Sequence, residues 1–469
     1  MTKPGIPQGT RDFSADVVRR RNYIFSVIKN VFELYAFEPL ETPAMENLDT
    51  LLGKYGEEGD RLIFKILNNG LSNPKNIDKA KEGFEKIIEG KNSMDVTERA
   101  LKYDLTIPFA RYVAKNHGSL TFPYRRYQIQ PVWRADRPQK SRYREFTQCD
   151  ADVVGSNSLF DEVELMSIYI AVFDKLGIDV EIKINSRKIL AGVAESIGAP
   201  EKIVDMTIAM DKFEKVGWDG VKEELNNKGF TTNQISDLKD FIFAASRRIM
   251  PFDVQLKEGE DFTLYFLKTA ALKYLQNENY KKGITELEEL LQKSQNQKSK
   301  IKIDLTLARG LNYYTGTIFE IKAKNVEIGS IGGGGRYDNL TDLFGVPNIT
   351  GVGISFGVDR IYDVMEELKL FPENLQVNTK ALFFNMGETE SLFAFNVMQQ
   401  LRAKGIACEL YHEFSKINKQ FTYAEKKNIP YAVIIGSKEI EQNYCLVKNL
   451  SSGLQEVVLL DRLFEFFDK

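Results

Sequence analysis

Residues 130–152, QPVWRADRPQKSRYREFTQCDAD, combine a cluster of positive charge with a row of polar and acidic side chains. Five basic residues stand in the stretch from Arg134 to Arg144, against one acid, Asp136. If residues 143–153 form a strand, alternate side chains share one face. That face carries a cation, an aromatic ring, an amide and two acids: Arg144, Phe146, Gln148, Asp150 and Asp152. Such a face cannot be hydrophobic core, because unpaired buried charges cost too much free energy. It suits a charged ligand, and plain solvent exposure is the alternative.

Further polar groups lie in KYDLTIP (102–108), where the same alternation places Asp104 and Thr106 together and turns Leu105 away. ARGLNYYTG (308–316) sets an arginine beside two tyrosines at the start of another strand. The candidate site residues in these two segments are Asp104, Thr106, Arg309, Tyr313 and Tyr314.

Two glycine-rich segments follow. GGGGRYD (332–338) permits close backbone approach, because glycine has no side chain, and a flexible turn is the alternative. GVGISFGVDR (351–360) has glycines through an apolar strand and Arg360 early in a helix. This is not the GxGxxG dinucleotide fingerprint, whose spacing and downstream acid are missing. Glycines inside a strand instead suggest a flat ligand lying against the sheet.

The elements that must position these groups follow from hydrophobic periodicity. Apolar residues at three- and four-residue spacing predict helices over 16–37 and 161–178. Between them, the period of two from 101 to 154 predicts antiparallel sheet, and the polar stretch 68–97 predicts a surface insertion. Residues 187–295 are rich in helical patterns, which indicates an inserted helical subdomain. After about residue 378, β–α–β alternation predicts a separate α/β domain.

Composition bounds the class of protein. The chain has 469 residues, 43% of them hydrophobic, and a formal net charge of −3, which excludes a generally basic nucleic-acid coat but not a local basic surface. Three widely spaced cysteines and two histidines, His117 and His412, make a Cys/His zinc site improbable and predict no structural metal. No signal peptide or membrane span is apparent. We therefore expect an intracellular, cytoplasmic protein that does not bind membranes.

The motifs resemble those of a known enzyme family. VWRADRP…RYREF is similar to the second motif of class II aminoacyl-tRNA synthetases, GVGISFGVDR to the third, and PLETPAME to the weaker, dimer-forming first. LARGLNYYTG with GGGGRYD resembles signatures of the histidyl-tRNA synthetases, and residues 417–436 resemble their anticodon-binding domain. The resemblance covers nearly the whole chain.

The resemblance implies an α+β fold, namely an antiparallel-sheet class II catalytic domain with a helical insertion, plus a C-terminal α/β anticodon-binding domain. The implied segments are 1–185 and 301–372 for the catalytic domain, 186–300 for the insertion and 378–469 for the anticodon-binding domain. The implied activity is histidine–tRNA ligation with ATP and Mg²⁺. The implied partners are L-histidine, tRNA(His) and a second copy of the chain.

The resemblance assigns six side chains to ATP: Arg134, Asp136, Arg142, Arg144, Phe146 and Arg360. Arg134 grips the α-phosphate, and Phe146 stacks on adenine with Arg360 across the ring. Asp136 lies near the adenine amino group. Arg142 or Arg144 reaches the β- and γ-phosphates.

Histidine is implied to contact nine residues: Asp104, Leu105, Thr106, Gln148, Asp152, Arg309, Tyr313, Tyr314 and Tyr337. Asp104, Thr106 and Gln148 cradle the ammonium group. Asp152 and Tyr314 address the imidazole nitrogens. An analogue lacking one nitrogen would leave a buried polar group unpaired, and such sites reject wrong substrates by about 10⁴ or more without editing. We therefore predict no editing domain.

The implied catalytic residues are Arg134 and Arg309, because attack on the α-phosphorus concentrates negative charge that fixed, fork-shaped cations stabilise. Arg137, Gln139, Lys416 and Lys419 are candidate tRNA contacts, and the two lysines could equally be a solvated helix face. The chain departs from the family pattern in three places: Asn312 replaces the usual Asp, Lys102 replaces a common Arg, and an extra glycine precedes GGRYD.

Three other classes of protein share this resemblance. Synthetase-like regulatory subunits generally lack the C-terminal domain and the ATP-binding arginines, whereas this chain has the domain and retains Arg134 and Arg360. A sensor of uncharged tRNA would not need intact ATP and histidine groups. A class II enzyme for glycine, proline or threonine is disfavoured by ARGLNYY and by two pocket carboxylates.

Overall fold

The computed structural model describes residues 4–53, 60–138, 142–246, 261–269, 271–308, 314–372, 375 and 379–468. The chain divides into two compact units, Met1–Phe371 and Pro372–Lys469. Within the described ranges, no helix has both the length and the apolar character that a membrane span requires.

The first unit is built on a mostly antiparallel sheet whose strands run in the order β1-β5-β6-β11-β10-β9-β7-β8. The strands are β1 Glu38–Pro39, β5 Tyr124–Trp133, β6 Glu145–Val154, β7 Val180–Ser186, β8 Ile301–Ile303, β9 Thr317–Ala323, β10 Gly332–Arg336 and β11 Gly351–Gly357. Only the two outermost pairs, β1 with β5 and β7 with β8, are parallel among these strands. A small second sheet contains β2 Met45–Asn47, β3 Lys65–Ile66 and β4 Arg99–Leu101.

Helices cover one face of the large sheet and form the insertion. Outside the insertion they are α1 Ala15–Leu34, α2 Leu48–Leu51, α3 Ile77–Ile88, α4 Thr106–Asn116, α5 Phe160–Leu176 and α12 Val358–Glu367. Helices α6 to α11 lie between β7 and β8: Arg187–Ser196, Ile203–Asp211, Phe213–Asn227, Thr232–Ser246, Phe262–Thr269 and Glu278–Lys293. Helix α3 belongs to the stretch predicted only as a polar surface insertion.

The core explains why β6 alternates. Cys149, Ala151 and Val153 point into the main hydrophobic cluster, together with α1, α5 and α12. There Phe356 of β11 packs against Phe173, with ring centroids 5.6 Å apart. The polar residues between them are left to the other face of the sheet.

The second unit is a small α/β domain with a five-stranded sheet in the order β13-β12-β14-β15-β16. Its strands are β12 Ala381–Phe383, β13 Cys408–Leu410, β14 Tyr431–Ile434, β15 Tyr444–Asn449 and β16 Gln455–Leu459. Its helices are α13 Glu388–Ala403, α14 Ile417–Lys426, α15 Ser437–Glu441 and α16 Leu463–Phe467. The unit has its own apolar clusters.

Candidate active site

A cavity of about 530 Å³ opens on the polar face of the large sheet. Its walls come from the β5–β6 hairpin, the start of α4, strands β6, β10 and β11, and the first turn of α12. Eleven residues predicted from the sequence line it: Asp104, Thr106, Arg134, Asp136, Arg142, Phe146, Gln148, Asp152, Tyr314, Tyr337 and Arg360. Segments far apart in the sequence thus converge on one cleft.

Strand β6 supplies the floor of the cavity. Phe146, Gln148, Asp150 and Asp152 line it, as the alternation predicts, while Cys149 faces the core. The alternation does not extend to Arg144, which precedes the strand and does not line the cavity.

Arg144 instead holds the backbone of its own hairpin. Its Nε donates a hydrogen bond to the Asp136 carbonyl oxygen at 3.1 Å, and its backbone N–H donates to the carbonyl oxygen of Gly9 at 2.8 Å. Of the two arginines proposed for the outer phosphates, Arg142 lines the cavity and Arg144 does not.

One half of the cavity is basic and aromatic. Arg134 Nε donates to the Tyr103 carbonyl oxygen at 3.1 Å, and its guanidinium lies 5.1 Å from the centroid of the Phe146 ring. Arg142 pairs with Asp136 at 2.7 Å. Across the cavity, Arg360 Nη1 donates to the Ser330 carbonyl oxygen at 2.6 Å. These bonds fix the direction of each guanidinium before any ligand arrives.

The other half of the cavity is acidic, and its acidic residues are buried. Asp152 forms an ion pair with Arg126 at 2.8 Å and accepts a hydrogen bond from the Tyr337 hydroxyl. Arg126 is fully buried and its guanidinium lies 4.1 Å from the centre of the Phe109 ring. Asp150 lies on the same face and is also buried.

Burial controls protonation in this half. It raises the pKa of Asp150 from 3.8 to about 7, opposed by the positive charge of Arg126 and assisted by the negative charge of Asp152. Burial likewise raises the pKa of Asp152, again opposed by Arg126, and raises the pKa of Tyr337 well above 10.0. The phenol therefore stays protonated and donates to the carboxylate.

The segment 102–108 does not form the strand on which its alternation was based. Helix α4 begins at Thr106, and Asp104 Oδ1 accepts a hydrogen bond from the Ile107 backbone N–H at 3.2 Å. Asp104 and Thr106 reach the cavity because they stand at a helix start. Leu105, predicted to contact histidine, is fully buried and does not line the cavity.

The strand glycines serve the packing of the sheet as well as the cavity. A Cβ on Gly353 would lie 2.0 Å from Asp152 Oδ1, and one on Gly334 would lie 2.1 Å from the Gly353 carbonyl oxygen. The sequence prediction explained these glycines by the room they leave for a flat ligand. The structure adds a stronger reason: a side chain at these positions would collide with the protein's own backbone or with Asp152.

Some of the predicted site residues lie outside the described residues or away from the cavity. Arg309, Tyr313 and Gln139 lie outside the described residues, as does Asn312. Arg137 is exposed at the hairpin and does not line the cavity. Lys416 and Lys419, also predicted to contact tRNA, are exposed in the second unit.

Several cavity residues were not predicted as binding residues, notably Arg126 beneath the floor and Asp150, Tyr143, Glu320 and Asp359 at its surface. Applying the two-residue period to YRRYQIQPVW would have placed Arg126 on the same face of β5 as Gln128 and Gln130. Its position opposite Asp152 depends on the register of β5 with β6, which the period alone does not give.

The cavity offers few protein side chains that could bind a metal ion. Among the described residues no group of three or more His, Cys, Asp or Glu side chains could hold one. Glu320 of β9 brings a single carboxylate to the cavity wall. This fits Mg²⁺, which is commonly held by one or two carboxylates together with substrate phosphates and water.

Comparison with known proteins identifies the family. A family model described as Histidyl-tRNA synthetase matches residues 91–361, more than half of the chain. The chain belongs to the histidyl-tRNA synthetase family. A second model, described as Anticodon binding domain, matches residues 380–469. Proteins named Histidine--tRNA ligase from Bacteroides fragilis strain YCH46 and Christiangramia forsetii are 49% and 48% identical. They cover 98% and 97% of this chain, and 98% and 96% of their own length is matched.

Solved structures agree with this family. The histidyl-tRNA synthetase of Nostoc sp. PCC 7120 has a TM-score of 0.77 and 30% identity, covering 100% of this chain and 99% of its own. A Bacillus halodurans structure described as an ATP phosphoribosyltransferase regulatory subunit/histidyl-tRNA synthetase has a TM-score of 0.70 over 92% of this chain and 99% of its own. At 20% identity, it shows the fold alone. These comparisons confirm the family and the α+β fold class predicted from the sequence.

Proposed function

We propose that the cavity activates L-histidine with ATP to give histidyl-adenylate and pyrophosphate, and then transfers histidine to the 3′ end of tRNA(His). Full-length relatives named Histidine--tRNA ligase confirm the predicted enzyme and favour it over a regulatory or tRNA-sensing paralogue. The observation that carries the site assignment is the convergence of Arg134 and Arg360 with Asp152 and Tyr314 on one cavity.

The basic half is the ATP site. Phe146 offers a ring face for adenine with Arg360 on the opposite wall, and Asp136 lies near the adenine amino group. Arg134 meets the α-phosphate, and Arg142 the outer phosphates. Arg142 is half exposed and pairs with Asp136, so it can exchange that partner for phosphate at small cost.

The acidic half is the histidine site. A carboxylate has about four acceptor positions. Asp152 therefore keeps acceptor capacity for an imidazole N–H while it is held by Arg126 and Tyr337. Tyr314 addresses the second ring nitrogen. Thr106 and Gln148, with Asp104, receive the ammonium group.

In the first step an oxygen of the histidine carboxylate forms a bond to the α-phosphorus, the bond to the bridging oxygen breaks, and pyrophosphate leaves. Negative charge grows on the phosphoryl oxygens, and a guanidinium already aimed at them needs no reorganisation. Arg134, fixed by its bond to the Tyr103 carbonyl, performs this role. Arg309 is assigned the same task from the family resemblance alone.

Mg²⁺ would neutralise the outer phosphates of ATP. Glu320, one of the carboxylates that line the cavity, would hold the ion together with phosphate oxygens and water.

The second unit would bind tRNA(His) through the start of α14. Lys416 and Lys419 are exposed there, beside the amide groups of a helix N-terminus that also favour an anion. Phe414, 75% exposed in the preceding loop, offers a ring on which a base can stack. In the first unit, Arg137 and Gln139 are assigned to the first base pairs of the acceptor stem.

A homodimer, a cytoplasmic location and the lack of an editing domain remain predictions.

Histidine-dependent exchange of labelled pyrophosphate into ATP tests the proposal most directly. The expected result is exchange with histidine and none with glycine, proline or threonine. A regulatory or sensing paralogue would give no exchange with any amino acid, and a different synthetase would respond to another one.

A further inference from the structure

The N-terminal turn, residues 7–11, touches both walls of the basic half of the cavity without lining it. The Thr10 backbone N–H donates to the Pro7 carbonyl oxygen at 3.1 Å, which closes a four-residue turn. Gly9 occupies its third position with φ +85°, a conformation that favours glycine. A Cβ there would lie 2.8 Å from Arg144 Cγ. The turn is therefore shaped to lie directly on the hairpin.

Hydrogen bonds from Arg144 join the turn to the hairpin. Arg144 N–H donates to the Gly9 carbonyl oxygen at 2.8 Å, and Arg144 Nη1 donates to that of Gln8 at 3.4 Å. Arg144 also donates to the carbonyl oxygen of Asp136, on the opposite arm. The arginine that sequence reasoning assigned to ATP thus ties the N-terminal turn to both arms of the hairpin.

Arg11 joins the hairpin to α12. Its guanidinium carbon lies 3.2 Å from the centroid of the Tyr143 ring, and its Nη2 donates to Asp359 Oδ1 at 2.7 Å. Tyr143 and Asp359 both line the cavity, and Asp359 directly precedes Arg360. One planar cation therefore sets the position of the hairpin base relative to the helix that carries Arg360.

We propose that Arg11 is a positioning residue for ATP, which holds the hairpin wall and the α12 wall at the separation that the nucleotide requires. This inference rests on the proposed function of the cavity. Arg11 acts through Tyr143 and Asp359, and no step of the reaction passes through it.

The fold should survive loss of Arg11, because Asp359 is also paired with Arg21 of α1. The carboxylate therefore keeps a cation while the link to Tyr143 is lost. Arg20 provides a matched control. It pairs with Glu366 at 3.2 Å, near the far end of α12, and neither residue lines the cavity.

Equilibrium binding to the full-length chain tests the proposal, with α,β-methylene-ATP plus Mg²⁺ and with L-histidine as separate probes. Arg11→Gln should raise the Kd for the nucleotide analogue by about tenfold, since small displacements of positioning groups have large effects. Its Kd for histidine should stay near that of the parent. Arg11→Lys keeps the ion pair with Asp359 but loses the planar stacking on Tyr143. Its Kd for the nucleotide analogue should lie between those of the parent and of Arg11→Gln. Arg20→Gln should match the parent for both ligands.

The proposal is overturned if Arg11→Gln binds the analogue as tightly as the parent does, or if both ligands weaken equally. Should Arg11→Gln fail to fold, Arg11→Lys decides by the same comparison. Because binding is read at equilibrium, the result is independent of turnover. A parent chain that binds the analogue but lacks histidine-dependent exchange would refute the proposed function and leave the role of Arg11 measurable.

Discussion

Arg134 owes its direction to two neighbours, the Tyr103 carbonyl oxygen that it bonds and the Phe146 ring beside it. A cation held in place in this way acts on charge that develops during the reaction. We predict that Arg134→Ala lowers the rate of pyrophosphate exchange by about 10²–10³, measured with saturating ATP and histidine. Arg19→Ala, which removes a surface pair with Asp16, serves as the control and should exchange normally. A loss of less than a few-fold for Arg134→Ala would contradict the assigned role.

Asp150 makes the stability of the first unit depend on pH. Its pKa rises from 3.8 to about 7 through burial, so the folded chain binds this proton more tightly than the unfolded chain does. Its contribution to stability is therefore complete below about pH 4 and lost as the pH rises to about 7. Asp150→Asn, which is neutral throughout, removes this dependence.

We therefore expect the thermal midpoint of the parent to fall more than that of Asp150→Asn between pH 5 and pH 8. Tryptophan fluorescence is a suitable measurement, because the two tryptophans, Trp133 and Trp218, both lie in the first unit. Parallel curves for the two proteins would show that Asp150 does not titrate in this window.

At the scale of elements, the close approach of β11 to β6 sets the shape of the proposed histidine site. Gly353 pairs with Asp152, and a Cβ there would lie 2.0 Å from the carboxylate. We predict that Gly353→Ala displaces Asp152 and raises the Kd for histidine by at least about tenfold, while binding of the ATP analogue changes little.

Gly357→Ala is the comparison for that prediction. It lies on the same strand, and its Cβ would meet nothing closer than 3.5 Å. Its affinity for histidine should stay close to that of the parent. Equal losses of histidine affinity in the two variants would show that the strand tolerates no side chain at all, and that Asp152 is not the specific cause.

The floor of the cavity was predicted well from the sequence because side chains along a strand alternate between the two faces of the sheet. Phe146, Gln148 and Asp152 reach the cavity as that period requires. Prediction failed where an element ended: Arg144 stands just before β6, and Leu105 stands at the start of a helix read as a strand. The partner of Asp152, Arg126, depends on strand register, which no local pattern in one strand specifies.

At the scale of the whole molecule, each unit has its own hydrophobic core. Histidine activation and tRNA recognition can therefore be perturbed separately. Lys416 and Lys419 stand at the carboxyl end of β13, where α14 begins, whereas Lys404 follows α13 at the opposite end of that strand. Lysines that contact phosphate release counterions on binding, and each contributes about one to the slope of log affinity against log salt.

We predict that replacing both Lys416 and Lys419 with Gln raises the KM for tRNA(His) and lowers that slope by about two, while pyrophosphate exchange is unchanged. Lys404→Gln removes one charge from the same unit and should leave both measurements near the parent values. An unchanged slope in the double variant would mean that these lysines are only a solvated helix face. A parallel loss of exchange would mean instead that the second unit influences the chemistry in the first, which two separate cores give no reason to expect.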